Sequence, residues 1–281
     1  MTDTPSPQDA ARLLVQLRRQ QDLSHRRVDG QDLPPETAMF RVWQSQRLAA
    51  THADLLRSER YAPACRFFLD DIYAPKDFSQ RNHDIIRVHD FMMRFLPASL
   101  LRVLSQAIEM NAFTEELDRA LLAALVEKLG VRDALTDQQY AEGYRICNNY
   151  AERAYQIQLL VQVGHGLDRL TRLPIIGWTL RLARGPAHRG GWHELQGFLE
   201  RGYSAFKHMG GADEFLRIVE RREMLILDQI FAGAADPFTI VGDGETADHR
   251  PPTTDRRPLT ADDEGEGDAS FVRPSEVRPS L

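Results

Sequence analysis

Two groups of residues in this 281-residue chain combine types and spacings that can do chemistry. The first is a polar stripe. Tyr144, Gln158, Gln162 and His165 recur on one side of a helical pattern that runs from Thr136 to about Leu170. Polar groups on an inward-looking stripe must find partners or a wet cavity. These four, with His89 from an earlier helical segment, are therefore the candidates for an internal ligand site. His89 lies about 40° from the apolar line of its helix. An imidazole there either bonds a carbonyl at the core edge or serves as a ligand or acid–base group. The competing assignment for the stripe is that it turns to the surface.

The second group lies in the stretch RLTRLPIIGWTLRLARGPAHRGGWH, residues 169–193. It holds Arg169, Arg172, Arg181, Arg184 and Arg189 and no acid, with Trp178 and Trp192 among them. Arginines beside exposed aromatics suit an anionic lipid or a phosphate-bearing ligand. The plainer assignment, preferred from sequence, places Ile175, Ile176, Trp178 and Leu182 in the core with the arginines solvated or paired.

Other constellations lead nowhere. Asp70 and Asp71 are adjacent, so on a helix they point about 100° apart and cannot share one proton or one metal; Asp71 is expected to cap a helix or meet an arginine. His188 and His193 are five apart and diverge by about 140° on a continuous helix, unlike the three- or four-residue spacing of a two-histidine metal face. Phosphate-cradling glycine loops, GxSxG, HExxH and paired Glu-x-x-His motifs are missing. Neither a cofactor nor a resident metal is expected. The chain has no helix-turn-helix or zinc-finger pattern, so nucleic acid is not an expected partner either.

The elements that must position these residues are helical throughout. Thr136 with Gln139 forms a capping box, Gly210-Gly211 separates two amphipathic segments, about 192–209 and 212–231, and Pro97 opens a long helix to Leu129 with a break allowed near Asn111–Thr114. A first helix is expected from Ser6-Pro7 to Leu23 and a second from about Glu36 to Arg60, with Met39, Val42, Trp43, Leu48 and Leu55 inward. Glu220, Arg221, Arg222 and Glu223 look like a solvated face. The expected fold is an all-α bundle of about eight or nine helices over residues 6–238, with residues 1–5 and the tail 239–281 disordered.

Between Pro63 and Arg94 a short helix carrying two aromatics and two carboxylates stops before Pro75, and a new one is capped by Asp77. Cys65, Phe68, Leu69, Ile72 and Tyr73 share one arc, which calls for wedging between longer helices. The wording FFLDDIY, residues 67–73, resembles the bacterial FFLEELY-motif family, with aspartates for both glutamates and isoleucine for leucine. The family resemblance implies no activity and no site residues.

Composition bounds the rest. The tail from Gly242 holds ten acids and five arginines, so it carries −5 of the formal −6 and the acidity says little about the domain. Two cysteines, Cys65 and Cys147, sit in apolar patterns without metal spacing and read as buried free thiols. No secretory signal follows Met1 and no apolar run reaches a membrane-spanning length, so the cytoplasm is the expected compartment. No catalytic motif is recognisable. The expected role is binding or interaction with a protein or small-molecule partner. The alternatives are a small-ligand protein or enzyme with an internal polar pocket, and a peripheral binder of anionic lipid or phosphate through residues 169–189.

Overall fold

Caps, prolines and left-handed turn residues cut the chain into helices. The computed structural model describes residues 33–72 and 98–240, all within the first of the chain's two units, Met1–Asp248. Pro35 opens α1 (Pro35–Thr51) at a position whose N–H has no intrahelical partner anyway. The helix stops at His52, which leaves helical geometry at φ −114° and ψ 29°, and α2 (Ala53–Arg57) follows. The single helix expected from Glu36 to Arg60 is thus interrupted, and Val42 is exposed rather than inward.

Helix α3 (Ala62–Phe67) runs into a π-helical turn (Phe68–Ile72). The wider turn lets neighbouring aromatics serve different helices. Phe67 meets Phe198 at 5.3 Å between ring centroids, while Phe68 stacks toward Phe215 at 6.3 Å. Asp71 reaches out to Arg201 at 2.6 Å.

Helix α4 (Ala98–Glu127) continues straight through Asn111–Thr114, where a break was allowed. The Thr136–Gln139 capping box forms as expected and starts α5 (Asp137–Cys147). That helix ends on Asn148, which takes the left-handed conformation at φ 49° and ψ 42°, a region asparagine enters more readily than most residues. The long run expected from Thr136 to Leu170 is therefore two helices, the second being α6 (Tyr150–Thr171). Next come α7 (Pro174–Gly190), α8 (His193–Met209) and α9 (Asp213–Phe231), with Gly210 and Gly211 both at positive φ in the last turn. Nine α-helices and no strand are present among the described residues. The fold is all-α.

Helix α6 occupies the centre, packed against α4, α7, α8 and α9. Close approach requires glycine there. A Cβ on Gly164 would come within 2.5 Å of Leu216 on α9, and one on Gly166 within 2.8 Å of Val103 on α4. Leu55, Tyr61, Cys65, Phe206, Phe215 and Leu216 form one core cluster, and Phe40, Leu121, Leu125, Tyr140, Ile226 and Ile230 another. Phe238 and Ile240, beyond α9, pack on the second cluster. The expected first helix, the segment that includes Asp77 and His89, and the tail beyond Ile240 lie outside the described residues.

Candidate functional site

Five helices each turn polar residues toward one cavity of about 130 Å³. Gln44 and Arg47 come from α1 and His52 from its end; Thr114 and Asp118 from α4; Tyr140 and Tyr144 from α5; Arg153 and Gln156 from α6; Glu223 from α9. On each helix that supplies two, the pair is three or four residues apart, the spacing that sets side chains on one face.

The groups form two hydrogen-bonded networks. In the first, Arg47 Nη1 donates to both carboxylate oxygens of Glu223, at 2.6 and 2.7 Å, and His52 Nε2 lies 3.0 Å from the same carboxylate. In the second, Arg153 donates to Asp118, Gln156 and the Leu117 carbonyl, each at 3.0 Å. Its guanidinium lies over the Tyr144 ring at 4.5 Å, an arrangement that stabilises a desolvated cation. Gln156 bonds Thr114 at 2.9 Å, and the hydroxyls of Tyr140 and Tyr144 lie 3.2 Å apart.

Burial sets the electrostatics. It opposes charge on Glu223, yet Arg47 and His52 overcome it and hold the carboxyl down at about 2. Burial likewise opposes charge on Arg47 and Arg153, but their acidic and phenolic neighbours keep both guanidinium groups above their ordinary value. The Tyr144 phenol is pushed well up by burial and stays neutral. Three nitrogens remain buried with no partner among the described residues: Arg47 Nε, Arg153 Nε and His52 Nδ1. Each is a group whose desolvation is costly unless something bonds it. Beside the cavity, Arg222 makes a two-point contact with Asp54 at 2.7 and 2.9 Å. The Cys65 thiol, pushed up to about 12 by burial, is no nucleophile.

A second cavity, of about 150 Å³, lies between the π turn and α4, α6, α7 and α8, lined by residues such as Phe67, Val103, Leu167 and Leu199. Its described lining is almost wholly apolar, without convergent polar groups.

Of the five candidates for an internal ligand site, Tyr144 is the one among the described residues that lines the polar cavity; His89 lies outside the described residues. Gln158 and Gln162 face solvent, and His165 is half-buried at the surface, 3.2 Å from Asp213. The break at Asn148 explains the difference. It shifts the register between α5 and α6, so the line drawn from Tyr144 continues inward through Arg153, Gln156 and Leu160, while 158, 162 and 165 turn out. The strongest missed signal was on α9. Glu223 lies in register with Val219, Ile226 and Ile230, so it occupies a core stripe rather than the expected solvated face.

The arginines of the second group are all exposed. Arg172 pairs with Asp168 at 2.5 Å and Arg184 with Glu200 at 2.7 Å, while Arg169, Arg181 and Arg189 have no ion-pair partner among the described residues. The core assignment of α7 needs correction. Ile176 is buried, but Ile175, Trp178 and Leu182 are 58, 64 and 72 % exposed, because the inner face of α7 is already filled by Ile176, Leu180, Ala183 and Ala187. His188 and His193 are separated by a left-handed Gly191, so they do not share a continuous helix, and their rings stack in parallel with centroids 5.6 Å apart. The described residues contain no group of three or more potential metal ligands, and no described helix is long and apolar enough to cross a membrane.

Fold and site together define an all-helical bundle with a polar, arginine-lined cavity. By sequence the chain belongs to the family described as Domain of unknown function (DUF8198), which it matches over residues 23–237. No curated protein and no solved structure matches it.

Proposed function

We propose that the protein is a small-molecule-binding protein whose site is the cavity among α1, α4, α5, α6 and α9. The observation that carries this reading is the pair of buried arginines lining one cavity, each with an Nε–H left without a partner among the described residues. A well-packed apolar cluster would stabilise the bundle as well as buried ion pairs with leftover donors do, whereas a binding site gains orientation and selectivity from such groups. Donors outnumber free acceptors, so the fitting ligand presents acceptors: a carboxylate, carbonyl or amide oxygen. With Glu223 and Asp118 already balancing the two guanidinium groups, the site takes a neutral or singly anionic head. Leu160, Leu216 and Ile157 supply the wall for an apolar body. Its size is near that of a cavity of about 150 Å³ that accepts benzene.

The experiment is a thermal-shift screen of the full chain against small carboxylates, amides and aromatic acids, alongside native mass spectrometry of protein purified from its own cells. At a hundredfold excess over Kd, a true ligand stabilises by about 2.7 kcal/mol. For a domain of this size that raises Tm by about 5–10 °C. Tyr144→Phe, which keeps the ring under Arg153 and removes the hydroxyl from the cavity, should reduce the shift. A bare native mass together with no shift across the screen overturns the reading.

A further inference from the structure

We propose that the outer face of α7 is a docking surface for an anionic membrane, independent of the cavity. At about 100° per residue, Ile175, Trp178, Leu182 and Arg189 fall within about 60° of arc, and Arg181 flanks them. The opposite face, Ile176, Leu180, Ala183 and Ala187, is buried in the bundle. So α7 is apolar on two sides, and only one of them serves the fold. Leu173, at the entry to the helix, is exposed as well.

Charge decides the occupant. Residues 169–193 contain no acid. Arg172 and Arg184 are already held by Asp168 and Glu200, which leaves Arg169, Arg181 and Arg189 without an ion pair among the described residues. A helix lying in a lipid interface needs this combination: tryptophan and aliphatic tips to enter the headgroup–acyl boundary, and long cationic side chains beside them to reach phosphate. Anionic lipid adds an attraction for every basic residue brought near the surface.

The test is vesicle co-sedimentation of the full chain, comparing phosphatidylglycerol-rich vesicles with phosphatidylcholine alone. The anionic vesicles should retain the protein, and added salt should release it. Trp178→Ser with Leu182→Ser should weaken binding by about tenfold or more. Arg169→Gln, Arg181→Gln and Arg189→Gln together should weaken it comparably and leave the remainder insensitive to salt. All five positions are exposed, so an unchanged thermal melt separates these effects from unfolding. Absence of binding at low salt overturns the proposal, as does equal binding to both vesicle types or indifference to the Trp178 and Leu182 changes. A dimer in sedimentation velocity that Trp178→Ser dissolves, with no vesicle binding, would assign the face to a second copy. Free inorganic phosphate that raises Tm without vesicle binding would reduce it to an anion site. Either result overturns the membrane assignment.

Discussion

Replacing Glu223 by glutamine tests the electrostatics of the buried networks. The substitution keeps the shape but removes the negative charge that Arg47 holds at 2.6 Å and His52 at 3.0 Å. Breaking a buried pair by removing one partner costs about 3–5 kcal/mol, because the surviving charge is left in a poor solvent. The carboxyl's depression from an ordinary 4.5 to about 2 points to a similar size; at 1.36 kcal/mol per unit this is about 3 kcal/mol. For a domain of this length, a loss of about 3 kcal/mol lowers Tm by about 6–12 °C. The sign of the pH dependence follows from the direction of the shift. Because the folded carboxyl binds its proton less readily than the unfolded one, its contribution is fully present above about pH 4.5 and disappears as pH falls toward 2. Urea melts of both proteins at several pH values make the comparison. The wild-type chain should be markedly more stable near pH 6, and the difference should shrink below pH 4.5. Asp54 and Glu200, also held low, titrate in both proteins and largely cancel in the difference. A loss under about 1 kcal/mol near neutrality, or a difference constant down to pH 2, would show that Glu223 is solvated and would refute the buried pair.

Other perturbations address the helices. Gly164→Ala places a methyl within 2.5 Å of buried Leu216 and should cost about 1–3 kcal/mol despite its better helix propensity. Chemical denaturation of this variant beside the wild-type chain reads the loss, and an unchanged or raised stability would deny the close approach of α6 and α9. Asn148→Gly should be neutral or slightly stabilising and Asn148→Val destabilising by about 1–2 kcal/mol, since only the second must pay for a left-handed β-branched residue. Equal melts for the two would deny the break between α5 and α6.

Much of the architecture follows from rules that span four residues or fewer, and for that reason it is legible in the chain itself. The Thr136–Gln139 capping box, the Gly210-Gly211 turn and the prolines that open helices each act on their immediate neighbours, and the all-α class follows from the periodicity between them. The free cysteines and the absence of familiar catalytic motifs are equally direct. The site is another matter. Its ten polar groups come from five helices, with hydrogen-bonded partners as far as 176 residues apart in sequence, and no local pattern says which stripes will meet. A left-handed Asn148 was enough to turn Gln158, Gln162 and His165 outward and Arg153 inward. Glu223 sits on an apolar stripe, yet whether it is buried depends on Arg47 arriving from the far end of the chain. Trp178 repeats the lesson in reverse. The helix periodicity placed it on an apolar face, but α7 has two such faces, and only the neighbours packed against Ile176, Leu180 and Ala187 decided which one remained in water. Local physics determines the helices; burial and ion pairing depend on which helix faces come together in the folded bundle.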